Sequence, residues 1–186
     1  MPGARVTTGE RVTLRTAETE DVPFLQRAYA NPELRYPLGW DITTQTELER
    51  EFEDGGTHDE MFLVCLDDED AGPGDPADGE TRPIGCVIAA TSERARSGIG
   101  FWLVPAVHGE GYATEAVSLV LDYLFRVYPH PAVYAKALPH NDASRGLLES
   151  LGFQEEGRAR KEAFWDGEYH DSIAYSLLRE EWQGEP

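Results

Sequence analysis

Lysine is nearly missing from this chain of 186 residues: Lys136 and Lys161 are the only two, and arginine makes up the rest of the 16 basic side chains. Basic charge is scarce altogether. Asp and Glu number 35, giving a formal net charge of −19 and a sequence pI near 4.5. A field of that sign repels phosphate backbones and anionic headgroups, which argues against nucleic acid and membrane surfaces as partners. The acid-rich, lysine-poor surface is read as one hydrated in high salt, a halophilic trait. GC-rich codon usage with an incidentally acidic surface is the alternative, and it leaves the acid excess without a physical cause.

Cysteine is equally sparse. Cys65 and Cys86 stand in no Cys-x-x-Cys or Cys/His cluster, so neither a disulfide framework nor a metal centre is expected, and both read as buried free thiols on strands. Long apolar runs are lacking too: Ala116 to Phe125 is the longest and Asp122 interrupts it, while the N-terminus has no signal-like segment. A soluble, cytoplasmic protein is expected. Its 40% hydrophobic and 27% charged residues are ordinary for a globular chain, and the length suits one domain over 1–186.

Along the chain, Val12 and Leu14 alternate with polar neighbours in a first short strand over Arg11 to Arg15. Phe24, Leu25 and Ala28 fit one helical face, ended by Asn31-Pro32. Thr44 and Glu47 have capping-box spacing ahead of a second helix through Leu48 and Phe52, stopped by Gly55-Gly56. Apolar strands follow over Met61 to Leu66 and Ile84 to Ala89. The acid-, Gly- and Pro-rich segment 67–82 between them reads as a mobile loop, a tolerated insertion or a docking arm. Ile99 to Val104 is a strand, and Ala113, Ala116, Val117, Val120, Leu121 and Leu124 form the stripe of the clearest helix. A strand over Val133 to Leu138, a helix over Asn141 to Leu151, and a hairpin turning at Asp166-Gly167 complete the order β-α-α-β-β-β-α-β-α-β-β.

Chemistry concentrates where the strand Ile99 to Val104 runs through Gly109-x-Gly111 into a helix. Glycines let the backbone approach a ligand and the helix start aims free N–H groups at one point, which suits pyrophosphate. In isolation, a tight turn explains the two glycines as well.

Around those glycines, Gly98-Ile99-Gly100-Phe101-Trp102-Leu103 through Ala116 resembles the acetyl-CoA motif of the GNAT acyltransferase superfamily. The pattern Arg/Gln-x-x-Gly-x-Gly/Ala maps onto His108, Gly111 and Ala113, and Asn141-x-x-Ser144 with Leu151-Gly152-Phe153 resembles the helix that follows. The run from Tyr112 to Ala116, the Asn-x-x-Ser step and the ending Tyr175 to Trp182 are most similar to the ribosomal-protein N-acetyltransferase (RimJ/RimL-type) branch. The resemblance implies an α+β fold. Its mixed, mostly antiparallel central sheet has about seven strands, splayed between the fourth and fifth, with helices on both faces.

It implies acetyl-CoA as co-substrate and no metal. Pantetheine would lie in the gap against main-chain groups of Leu103 and Val104. His108, Gly109, Glu110, Gly111, Tyr112, Ala113 and Thr114 would hold the pyrophosphate, with Asn141, Ser144 and Arg145 on the next helix also at the coenzyme. Many relatives place a proton-donating tyrosine where this chain has Leu148, so the resemblance leaves Ser144 to protonate the departing thiolate. A helix-start role for that serine is the alternative. Asn141 would orient the coenzyme, cap its helix, or both.

Two departures stand out. His108 replaces the usual Arg or Gln, and Gly98 occupies the place of a strand glutamate that serves relatives as base, leaving Glu162, Asp166 or a water chain. Tyr36 and Trp40, with Phe164 and Trp165 near Tyr169, are candidates to line an acceptor site or simply to pack. The implied activity is direct acetyl transfer to a primary amine, foremost a protein or peptide N-terminus. A small amine such as a polyamine or antibiotic is the alternative acceptor, and a non-catalytic acetyl-CoA sensor the alternative role. A monomer and a homodimer are both compatible with the sequence.

Overall fold

A computed structural model of the chain describes residues 3–53, 59–67, 81–91 and 97–184. Eight strands form one sheet in the order β1-β2-β3-β4-β5-β6-β8-β7: β1 (Arg5–Thr8), β2 (Thr13–Thr16), β3 (Asp59–Asp67), β4 (Thr81–Ala90), β5 (Ser97–Leu103), β6 (Ala132–Ala137), β7 (Gln154–Trp165) and β8 (Glu168–Leu178). Every neighbouring pair is antiparallel except β5 and β6, which are joined by helix α4 (Tyr112–Val127) in the strand-helix-strand unit foreseen from the sequence. The strand missed is β1. Val6, Thr7 and Thr8 supply the β-branched residues that suit an edge strand, and β1 pairs back onto β2 through Thr7↔Leu14 and Thr8↔Thr13.

Side chains alternate between two apolar clusters, as the pleat requires. Phe62 and Val64 of β3 join α4 on one face, where Ala116, Val117, Val120, Leu121 and Leu124 are buried, and Leu148 of α5 (Asp142–Ser150) joins them. Leu63 and Cys65 point the other way. They pack with Val22, Leu25 and Ala28 of α1 (Val22–Ala30), Leu34 of α2 (Pro32–Leu38) and Leu48 of α3 (Gln45–Glu53).

The capping box of α3 is present: the Glu47 amide donates to Thr44 Oγ1 at 3.3 Å, and Glu47 Oε2 accepts from the Thr44 amide at 2.8 Å. Helix α2 was hidden by its two prolines. Pro32 sits in the first turn, where no N–H is needed, behind Asn31, whose Oδ1 accepts from the Glu33 amide at 3.0 Å. The Gly55-Gly56 stop and nearly all of the acidic loop lie outside the described residues. Of that loop's expected span, Asp67, Thr81 and Arg82 are already in the β3–β4 ladder. At Asp166 and Gly167, φ values of 50° and 80° make the tight hairpin turn expected there.

A buried ion cluster ties the first strands together. Arg15 is wholly buried, its guanidinium 3.4 Å from Asp67 Oδ2, and Arg5 reaches the same oxygen at 3.5 Å. Burial raises the Asp67 pKa, but hydrogen bonds from Thr13 and Thr81 and the Arg15 charge outweigh it and hold the group below the ordinary carboxylate range. Because its folded pKa is depressed, the stabilisation is complete above the unfolded value of about 4 and lost as pH falls below it. Asp67→Asn, which strands the Arg15 charge in the core, is expected to destabilise the fold by about 3 kcal/mol in urea titrations at pH 7. No loss at pH 7 would show that Arg15 is solvated.

Candidate active site

Strands β5 and β6 begin side by side and then part. Their pairing runs through Ser97↔Val133, Gly98↔Tyr134 and Ile99↔Ala135 and stops, although β6 stays on β8 as far as Ala137↔Ile173. The sheet is therefore splayed between the strands named by the resemblance. At the open end lies a cavity of about 230 Å³, bordered by Phe101 and Trp102 of β5, Lys136 of β6, Trp40, and Asn141 and Ser144. Helices α4 and α5 both start from the C-terminal ends of these two strands, the position where open sheets hold ligands.

The end of β5 decides which main-chain groups meet the gap. Val104 N–H donates to Ile84 O at 2.7 Å, so by the parity of an antiparallel ladder Val104, Trp102 and Gly100 turn toward β4 while Leu103 and Phe101 turn toward the gap. The Leu103 carbonyl is engaged by His108 Nε2 at 2.8 Å. The expectation that Leu103 and Val104 both offer main-chain groups is therefore narrowed to the Leu103 N–H. His108 thereby braces the end of the strand.

At the start of α4 the glycines have a conformational cause. Gly109 and Gly111 adopt φ of 82° and 83°, and Gly111, as N-cap, brings no side chain to satisfy the first-turn amides. The N–H groups of Tyr112, Ala113 and Thr114 thus lack intrahelical partners at the positive end of a 16-residue helix. This entry, with the strand gap beside it, fits the pyrophosphate and pantetheine of a coenzyme-A-type ligand. Glu110 is exposed between the glycines.

On α5, Asn141 is the N-cap, its Oδ1 accepting from the Ser144 amide at 3.1 Å, so its capping role is realised. Ser144 Oγ has no hydrogen-bond partner among the described residues and borders the cavity. Leu148, one turn on, is fully buried. Arg145 is turned inward: Nε donates to Tyr175 Oη at 3.2 Å, and Nη1 reaches Pro139 O at 3.3 Å and Asp142 Oδ1 at 3.4 Å. Through Tyr175 this side chain links α5 to β8.

Of the other candidates, Trp40 reaches the cavity, where it packs edge-on against Trp102 with ring centroids 6.0 Å apart. Tyr36 points outward with the Arg35 guanidinium 4.5 Å above its ring, and Phe164 is 62% exposed against Tyr169 at the hairpin. The Trp165 side chain lies outside the described residues. Glu162 accepts from Lys136 Nζ at 2.6 Å and from Ser172 Oγ at 2.5 Å; these bonds hold its carboxyl below the usual range and make it a poor base. Asp166 is in the hairpin turn. Both thiols are buried and free; burial pushes Cys65 up to about 12 and raises Cys86 as well, so neither is a nucleophile at neutral pH.

Sequence reasoning missed Trp102 and Lys136 at the cavity. Trp102 sits in a continuous apolar run, which marks a buried strand without saying which side chain meets the gap. Lys136 had no signal, because its place depends on where β6 leaves β5.

The splayed sheet and the glycine-built helix entry at its open end form a cleft with the shape and donor groups to take an extended, phosphate-bearing ligand. Residues 11–154 match the acetyltransferase (GNAT) domain family, and the chain belongs to that family of acetyl-CoA-dependent N-acetyltransferases. It is 38% identical over 87 residues to the putative ribosomal N-acetyltransferase YdaF of Bacillus subtilis, a match spanning 47% of this chain and 48% of that one. Among solved structures, the ribosomal-protein-S5-alanine acetyltransferase of Vibrio fischeri superposes with a TM-score of 0.76 at 20% identity, covering 97% of this chain and 98% of the other. The spermidine N-acetyltransferase of Vibrio cholerae, in complex with CoA and spermine, gives 0.77 at 22%, covering 93% and 98%. At such identities the two structures establish the fold.

Proposed function

We propose that residues 1–186 act as one unit that transfers the acetyl group of acetyl-CoA directly to the α-amine of a protein or peptide. The observation that carries the acceptor class is the cavity lining. Among the described residues it includes no carboxylate, and its one charged group is Lys136. A polyamine brings several positive charges into the cleft and needs acids to meet them, whereas a peptide N-terminus brings one amine that reacts only when neutral. The name of YdaF points the same way, and that of the spermidine enzyme points to the rival acceptor.

In this reading the Leu103 N–H polarises the thioester carbonyl and Ser144 Oγ gives its proton to the departing sulfur. With Glu162 held by Lys136 and Ser172, the amine loses its proton to water. Rates of CoA release with alanyl-terminated peptides and with spermidine test the acceptor. The peptide kcat/KM is expected to exceed that of spermidine at least tenfold. The reverse order would assign a small-amine acceptor, and CoA binding without turnover on any amine would assign a sensor.

The acid excess supports a second part of the proposal, that the protein works in a salt-rich cytoplasm. Its thermal midpoint is then expected to rise from low to molar potassium chloride, beyond the point where the Debye length is about 3 Å. A flat or falling midpoint contradicts it.

A further inference from the structure

The coenzyme reading gives no role to a cation that stands beside the start of α4. Arg11, in the turn between β1 and β2, lies across the glycine entry of α4 from 99 to 104 residues away in sequence. Its Nη1 donates to Glu110 O at 2.7 Å, its Nε to Glu115 Oε2 at 3.2 Å, and its guanidinium carbon stands 5.1 Å from the Tyr112 ring centroid. Glu115 is 7% exposed, and its other oxygen accepts from the amides of Arg11 and Val12 at 2.7 and 3.1 Å. A Cβ placed on Gly111 would come within 3.1 Å of Arg11 Nη2, so the guanidinium borders the turn itself.

This arrangement creates an electrostatic problem and its solution together. A buried carboxylate one turn into α4, preceded by an exposed Glu110 in the loop, puts negative charge beside amides suited to an anion. Arg11 pairs with the Glu115 carboxylate and holds the backbone carbonyl of Glu110, and its side chain remains 49% exposed at the site's edge. His108, where the family pattern has Arg or Gln, is engaged with the Leu103 carbonyl through Nε2.

We propose that Arg11 is a positioning residue for the coenzyme's pyrophosphate, holding the Glu110-Gly111 turn in its anion-binding shape and neutralising Glu115. The inference rests on the coenzyme reading above. It predicts a loss confined to ligands that carry the phosphates.

Titration calorimetry of the full chain with CoA and, at millimolar concentrations, with pantetheine separates the possibilities. Wild type is expected to bind CoA; if it does not, the coenzyme reading itself fails. Arg11→Gln is expected to raise the Kd for CoA at least tenfold and leave that for pantetheine within twofold, with Arg11→Lys between it and wild type. Adding Glu115→Gln to Arg11→Gln is expected to recover at least threefold of the CoA affinity, because the uncompensated charge is gone while the amide oxygen can still accept from the two backbone N–H groups. Should Arg11→Gln fail to fold, the same two ligands are compared with Arg11→Lys, whose Kd is expected to rise about threefold for CoA alone. An unchanged Kd for CoA, or equal losses for both ligands, overturns the proposal.

Discussion

Ser144→Ala is expected to lower kcat by on the order of a hundredfold while leaving the Kd for CoA within about twofold. Ser144 borders the cavity at the open end of the β5–β6 gap, one helical turn from Asn141, and its hydroxyl has no partner among the described residues. Leu148 has no proton to give, and the thiol of Cys86 is fully buried on the other side of the sheet from α4. A group that donates only as the carbon–sulfur bond breaks stabilises the transition state and not the bound coenzyme. Single-turnover rates with calorimetry check the split. Parallel losses in rate and affinity would make Ser144 a pantetheine ligand, and no loss in either would make it a helix-start residue.

Gly111→Val is expected to weaken CoA binding at least tenfold in a folded protein. The cause is conformational first: φ at 83° costs a β-branched residue on the order of 1–3 kcal/mol, and relief of that strain rotates the amides of the turn. A side chain there also meets Arg11 Nη2 at 3.1 Å, at the flexible end of the arginine. Gly109→Ala has open space around its Cβ but a φ of 82°, so it should show the strain component alone and a smaller loss. Unchanged CoA affinity in both variants would remove the turn from the binding site.

What could be read from the sequence was whatever local chemistry determines. The α4 stripe, the Thr44 capping box, the Asp166-Gly167 turn and the glycine entry each depend on neighbours a few residues away, and the structure contains all four. Asn141 was legible for the same reason, since a cap reaches its own helix. Arg145 was not: a guanidinium has the reach to choose among several partners, and besides Pro139 and Asp142 nearby it takes Tyr175, 30 residues on. Glu162 looked like a solvated acid until β7 set it beside Lys136, 26 residues earlier. Arg11 was invisible by the same logic, because a hairpin turn and a helix entry about a hundred residues apart meet only once the sheet is assembled.

Acetyl-CoA labelled in its acetyl carbon provides the most direct test. Incubated with the protein alone, it is expected to leave no covalent label on the chain. With an alanyl-terminated peptide added, the label is expected at the peptide's α-nitrogen, with CoA released in equal amount. Label retained on the protein after denaturation, above all at Cys65 or Cys86, or no label on any amine despite CoA binding, would contradict direct transfer across the β5–β6 gap.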